Sequence, residues 1–257
     1  MRPDLCTMAA ASEGRLPDTV LRAIESEDLG ALTSWLIDPN THIEDTEAGR
    51  GHTALLWASR TGRLKSLLVL AKSGADVNAA ITGGAAALYI AAQEGHHQVV
   101  STLLENGAQI DHRHSNGATA LFIAAAAGRT EVVRCLLAAG SDAGLATSSG
   151  HNAMQIAKTA GHGEVVVLLQ RHGDENKQAL AGMAVEAAAD WLRSRGVAGS
   201  AADACAKAEV DGAGLLELHT LVCKDYATFR QLVMSDIGFD KVGHLLRFAR
   251  VLRGLGS

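Results

Sequence analysis

Large aromatic side chains and long apolar runs are scarce in this chain of 257 residues. Only 4% of the residues are aromatic although 47% are hydrophobic, so we expect a core of close-packed small side chains. The most apolar stretch, residues 118–127, is too short to span a bilayer. Residues 1–17 lack the sustained apolar run of a signal peptide. These absences favour a cytoplasmic protein with no segment inserted in a membrane.

Cysteine pairs, net positive charge and catalytic motifs are also missing. The four cysteines lie far apart without a CxxC spacing, which indicates free thiols in a reducing compartment. The formal charge of −5 argues against bulk affinity for nucleic acid. The chain contains no GxSxG, P-loop, GxGxxG, HExxH or kinase-loop motif. We therefore expect neither an enzyme nor a cofactor.

Three series of glycines recur in the chain with a period of 33 residues. The first is Gly51, Gly84, Gly117 and Gly150, the second is Gly62, Gly95, Gly128 and Gly161, and the third is Gly74, Gly107, Gly140 and Gly173. A period of 33 is typical of stacked helix pairs, which bury their core between neighbours and leave one long face free. The first series predicts extended turns with positive φ, and the other two predict left-handed helix ends.

The repeated units closely resemble the ankyrin repeat. The unit that begins at Gly51 carries Gly-His-Thr-Ala-Leu, then Gly62, Leu67 and Gly-Ala-Asp-Val-Asn ending at Asn78. About five units fit between Asp18 and Lys177, the first of them degenerate. The resemblance implies an all-α solenoid of helix pairs with short hairpin loops. It also implies recognition of a partner protein.

Two family positions are occupied differently in this chain. The family proline at the first helical position is replaced by Ala54, Ala87, Ala120 and Ala153, which should leave the helix starts less pre-organised. The family histidine is replaced by Leu56, Tyr89, Phe122 and Gln155. The three apolar residues of that set either stack as a ladder in the core, which repeat spacing favours, or form an aromatic anchor for a ligand.

The resemblance places partner contacts at the hairpin tips and on the short inner helices. The candidate residues are Arg50, His52, Arg60, Thr61, Gln93, Glu94, Asn116, Ala118, Ser149, His151 and Lys158. Singly, each is an ordinary surface residue, so only the set is a candidate surface. The eleven histidines predict no metal site, because His112 and His114 have no cysteine or carboxylate trio beside them.

Past Lys177 the glycine period stops, and a second module is predicted there. Residues 1–17 are expected to form a tail, 18–177 the repeats, 178–184 a linker and 185–257 a second domain. That domain is similar to the SAM (sterile alpha motif) domain, a small helical bundle. The landmarks are Trp191-Leu192, Asp211-Gly212 before Leu215-Leu216, and a glycine pair, Gly238 and Gly243, before His244. About ten extra residues follow Leu218.

The SAM resemblance implies association through opposite charges. Many SAM domains join an acidic middle surface to the basic start of the last helix. The matching positions are Glu209, Asp211 and Glu217 on one side, and Lys241, His244 and Arg247 on the other. Such a contact links like modules or recruits a second partner. The alternative is that both groups are ordinary solvated faces.

These patterns together predict a non-catalytic scaffold or adaptor with protein partners. One alternative is an RNA-binding adaptor that uses the basic last helix. Against it, nine basic residues from Gly182 onward are balanced by nine acidic ones, and no aromatic stacking platform is apparent. A second alternative is a targeting or inhibitory subunit of a single enzyme.

Overall fold

The computed structural model describes residues 15–38, 41–47, 51–197, 199–224, 229, 233, 237, 248–249 and 251–252. Its secondary structure there consists of helices and three isolated β-bridges, so the all-α prediction is confirmed. The helices are α1 Asp18–Ser26, α2 Leu29–Ile37, α3 Ala54–Thr61, α4 Leu64–Lys72, α5 Ala87–Glu94, α6 His97–Glu105, α7 Ala120–Ala126, α8 Thr130–Ala138, α9 Ala153–Ala160, α10 Gly163–Ala181, α11 Val185–Ser194, α12 Gly199–Lys207 and α13 Gly212–Lys224. In this described part, no helix is both long enough and apolar enough to cross a membrane.

The chain divides into two compact units. The first comprises Met1–Ser141 and Thr147–His151, and the second comprises Asp142–Ala146 and Asn152–Ser257. In the first unit α1, α3, α5 and α7 stack as an inner layer, and α2, α4, α6 and α8 stack as an outer layer. Each helix pair therefore buries its core against the next pair, as the glycine period predicts.

Small side chains fill the inner layer of the first unit. Ala54, Ala87 and Ala120 are at most 2% exposed, so the alanines that replace the family proline are part of the core. Threonine side chains hold two of these helix starts: Thr53 Oγ1 accepts from Leu56 N at 3.4 Å, and Thr119 Oγ1 accepts from Phe122 N at 3.3 Å. Side-chain caps thus supply order that proline would otherwise provide.

A buried leucine lies just before α1 in the first unit. Leu16 is fully buried, and its N–H donates to Thr46 O at 2.7 Å. Residues 15–17, which were predicted to end a tail, therefore belong to the folded unit. In the degenerate first repeat, Glu27 takes the left-handed conformation (φ 53°) where later repeats have glycine.

The second unit contains α9 to α13 and the described residues that follow them. Helix α10 is 19 residues long and packs against α9 and α13. It passes through Gly173, so the prediction that this glycine ends a helix is wrong. Contacts with α13 favour continuation of the helix through residues 178–181, which were predicted to lie in a linker. Tertiary packing here overrides the weak helix propensity of glycine.

Helices α11 to α13 share one apolar core. Leu192, Cys205 and Leu215 are buried together with Phe229 and Phe248, whose ring centroids lie 6.0 Å apart. Burial raises the pKa of the Cys205 thiol to about 12, and Cys135 and Cys205 are both free thiols. This arrangement agrees with the prediction of unpaired cysteines at these two positions.

Candidate partner-binding surface

Backbone hydrogen bonds join the hairpin of one repeat to the hairpin of the next. Ser115 N donates to Gly83 O at 2.9 Å, and Ser148 N donates to Asn116 O at 2.8 Å. Gly84 has φ 87°, and a Cβ added there would lie 3.3 Å from Ser115 N. The hairpins therefore approach closely where a side chain would be strained, and they form a continuous edge.

Side chains also connect the bases of the hairpins. Asn78 Oδ1 accepts from Gln109 N at 2.8 Å, and Asn78 Nδ2 donates to Gly107 O at 3.2 Å. One repeat earlier, Glu44 Oε1 accepts from Asp76 N at 2.8 Å. The loops are thereby fixed to one another in the free protein, which lowers the entropy lost when a partner binds.

The ends of the inner helices are connected by a different contact. His96 Nε2 lies 3.1 Å from Arg60 O, and Arg129 Nε donates to Gln93 O at 3.1 Å. Each side chain belongs to one repeat and reaches a terminal carbonyl of the preceding inner helix. These contacts satisfy groups that a helix end leaves without an intrahelical partner.

Most of the predicted array residues lie at the surface. Gln93, Glu94, Asn116, Ser149 and His151 are exposed, whereas Arg60 and Thr61 are half-buried. They occupy inner-helix ends and hairpin tips of successive repeats in the first unit. Lys158 is exposed on α9 in the second unit. Arg50 lies outside the described residues.

Two predicted surface residues are buried. His52 is 4% exposed, with its Nδ1 3.0 Å from Glu47 Oε1, and Ala118 is 1% exposed. Both follow the first glycine of a repeat, where the hairpin turns back toward its inner helix. We leave them out of the surface, because a buried side chain does not contact a partner directly.

The residues at the family histidine position differ in burial. Leu56 is 1% exposed, while Tyr89 and Phe122 are half-buried. The Tyr89 ring stacks on His114 with centroids 5.3 Å apart, and burial raises the pKa of Tyr89. Leu56 is therefore a core residue, whereas the ring of Tyr89 lies against His114 of the following hairpin. Gln155 is exposed in the second unit.

Sequence reasoning overlooked Trp57, which shapes the surface around Arg60. The Arg60 guanidinium lies 5.5 Å from the centroid of the Trp57 ring, and His52 meets the same ring edge-on at 6.1 Å. Within the described part of the chain, the buried Trp57 Nε1 has no hydrogen-bond partner. The sequence did contain a signal for this residue, because Trp57 stands at a position where the later repeats have isoleucine.

The acidic residues predicted for the second unit have mixed surroundings. Glu209 and Glu217 are exposed, and Glu209 has φ 55°. Asp211 Oδ1 accepts from Gly214 N at 2.8 Å near the start of α13, so this residue also has a capping role. Their predicted basic counterparts, Lys241, His244 and Arg247, lie outside the described residues.

No group of three histidine, cysteine or acidic residues that could hold a metal occurs among the residues described.

A family model described as ankyrin repeats (3 copies) matches residues 7–114 and 88–179 of the chain. No curated protein matches this chain. The matched region ends two residues past Lys177, where the glycine period stops.

Proposed function

This chain belongs to the ankyrin-repeat family, and on that premise we propose that it is a non-catalytic adaptor whose repeat array docks a partner protein. Ankyrin repeats are generally protein–protein interaction modules, and proteins built from them are typically non-catalytic. The observation that carries the proposal is the series of exposed positions in the first unit, which lie on inner-helix ends and on hairpins that bond to one another. Gln93, Glu94 and Asn116 are central to this series.

A rigid polar edge of this kind suits a protein partner. The exposed side chains are chemically varied, and the backbone that presents them is fixed by the hydrogen bonds Ser115 N to Gly83 O and Ser148 N to Asn116 O. A pre-organised surface loses little entropy on binding, so more of the contact energy appears as affinity. We expect a few of these side chains to contribute most of that energy.

We also propose that the C-terminal helices form a SAM-like module that associates with itself or recruits a second partner. Support comes from the separate apolar core around Leu192, Phe229 and Phe248 and from the exposed carboxylates of Glu209 and Glu217. Joining two binding modules in one chain raises the effective concentration of one partner near the other.

Crosslinking capture with the full chain tests both proposals. We expect a Gln93→Arg and Asn116→Arg double variant to lose the array's partner at least tenfold, while the matched control Gln98→Arg and Ala138→Arg on the outer helices retains it. Glu217→Lys should lose a second copy or a second partner, and Glu186→Lys should not. Equal losses in both array variants, or no specific protein captured by the unmodified chain, would contradict the adaptor role.

A further inference from the structure

Charge is distributed very unevenly along the first unit. Residues 48–75 contain five basic side chains and no acidic one, whereas residues 15–47 contain eight acidic and two basic side chains. The overall charge of the chain is −5, so the second repeat is a local region of positive charge in an acidic protein. Such a region attracts anionic groups and raises their local concentration.

Three of these cations surround the turn that connects α3 to α4. Arg60 lies in the last turn of α3, Arg63 is the N-cap of α4, and Lys65 is in its first turn. Lys65 Nζ is 3.9 Å from Glu27 Oε2. Across the described residues, the ion pairs formed include neither Arg60 nor Arg63. Among the described residues, no carboxylate therefore pairs with either of these two guanidinium groups.

Arg60 is held in place at both its backbone and its side chain. Its carbonyl oxygen lies 3.1 Å from His96 Nε2, and its guanidinium lies over the Trp57 ring. The edge of the same Trp57 ring meets His52, whose Nδ1 lies 3.0 Å from Glu47 Oε1. A guanidinium fixed on an aromatic ring presents a planar set of donors, which matches a carboxylate with two parallel hydrogen bonds.

The neighbours of this patch limit the size of what it can bind. The first repeat on one side is strongly acidic, and Glu94 occupies the position equivalent to Thr61 in the next repeat. Stacked helices lie about 10 Å apart, and an extended chain advances about 3.3 Å per residue. A run of about three acidic residues therefore matches the patch, while a longer polyanion such as RNA meets repulsion on either side.

We propose that Arg60, Arg63 and Lys65 dock a short acidic segment of the partner protein, an inference that rests on the adaptor function proposed above. The glutamate or aspartate carboxylates of that segment pair with the two guanidinium groups. The acidic flanks of the patch then favour neutral or basic residues on either side of the run. This assigns a chemical class to the partner of the array.

Fluorescence anisotropy with the full chain and a labelled Gly-Glu-Glu-Glu-Gly peptide tests the site. We expect Arg60→Gln with Arg63→Gln to weaken binding at least tenfold, and Arg134→Gln with Arg171→Gln, which removes the same charge outside residues 48–75, to change it less than twofold. Arg60→Lys should give an intermediate loss, since it keeps the charge without the planar fork. Thermal melting of each variant verifies that it is folded.

The alternatives give different results in the same assay. Equal weakening by the two double variants, or equal binding of a Gly-Gln-Gln-Gln-Gly peptide, overturns the site. Tighter binding of a single-stranded RNA hexamer that depends on Arg60 overturns the choice of a protein ligand.

The crosslinking capture separates this inference from the adaptor function. If Arg60→Gln with Arg63→Gln retains the partner that Gln93→Arg with Asn116→Arg loses, this inference fails while the adaptor function stands. If no variant affects any captured protein, the adaptor function itself fails.

Discussion

Gly62 is constrained by two independent physical effects. Its φ is 72°, a conformation that costs an L-residue energy, and a Cβ there would lie 2.7 Å from the His96 ring. Gly74 has φ 92°, but a Cβ added there would meet nothing within 4 Å. The two glycines occupy different positions of the same repeat, so they separate the cost of conformation from the cost of contact.

Alanine substitutions at these two glycines should therefore destabilise the first unit by different amounts. Gly74→Ala should cost about 1 kcal/mol for the left-handed conformation. Gly62→Ala should cost about 1 kcal/mol more, because the ring of His96 must leave its hydrogen bond with Arg60 O. Urea denaturation measures both. Adding His96→Ala should remove the difference, and equal losses in the two single variants would show that the contact has no effect.

At the scale of secondary structure elements, side chains as well as backbone groups connect the hairpins. Asn78 bonds to Gln109 N and Gly107 O of the next repeat. Asn106 makes a bond of similar length, at 2.8 Å, to Thr102 O of its own helix. Asn78 therefore connects two repeats, whereas Asn106 bonds within its own helix.

Asn78→Ala should loosen the hairpin that follows it, whereas Asn106→Ala should not. Loss of two hydrogen bonds between repeats is expected to cost about 1–2 kcal/mol, and the Gln109 amide should exchange its hydrogen faster. Hydrogen exchange monitored by NMR gives the residue-level rate. Unchanged exchange at Gln109 in Asn78→Ala would mean that the backbone alone holds the hairpin.

Glycine spacing predicted most helix ends in the first unit, because a left-handed end favours a residue without a Cβ. It failed at Gly173, where contacts between α10 and α13 extend the helix. The surface was predicted by position within the repeat, and this placed Gln93 and Asn116 correctly outside. The same rule misplaced His52 and Ala118, because burial at a hairpin depends on neighbours distant in sequence, such as Glu47 for His52.

At the scale of the whole molecule, two histidines of the second unit link its stability to pH. Burial lowers the pKa of His172, with Arg195 acting in the same direction and Glu175 against it. Burial, and then Lys177, lower the pKa of His219. Both imidazoles are therefore harder to protonate in the folded state than in the unfolded chain, whose histidines titrate near pH 6.5.

We expect the second unit to lose stability as the pH falls below about 6.5, because the unfolded state then binds more protons than the folded state. The protection factors of the amides in α13, which allow for the slower intrinsic exchange at lower pH, should fall between pH 7.5 and pH 5.5. His172→Gln with His219→Gln should reduce this dependence, whereas His151→Gln, at an exposed site in the first unit, should leave it intact. An unchanged pH dependence in the double variant would assign it to other groups.

The contact from His96 to Arg60 O has a consequence for how such a chain changes length during evolution. The histidine that completes one inner helix is encoded 36 residues downstream of its acceptor, as is the arginine that completes the next. A duplication or deletion of one whole period keeps a residue of the same repeat position at the junction that it creates. A change of any other length leaves a helix end without its partner, so selection should favour insertions and losses in steps of one repeat.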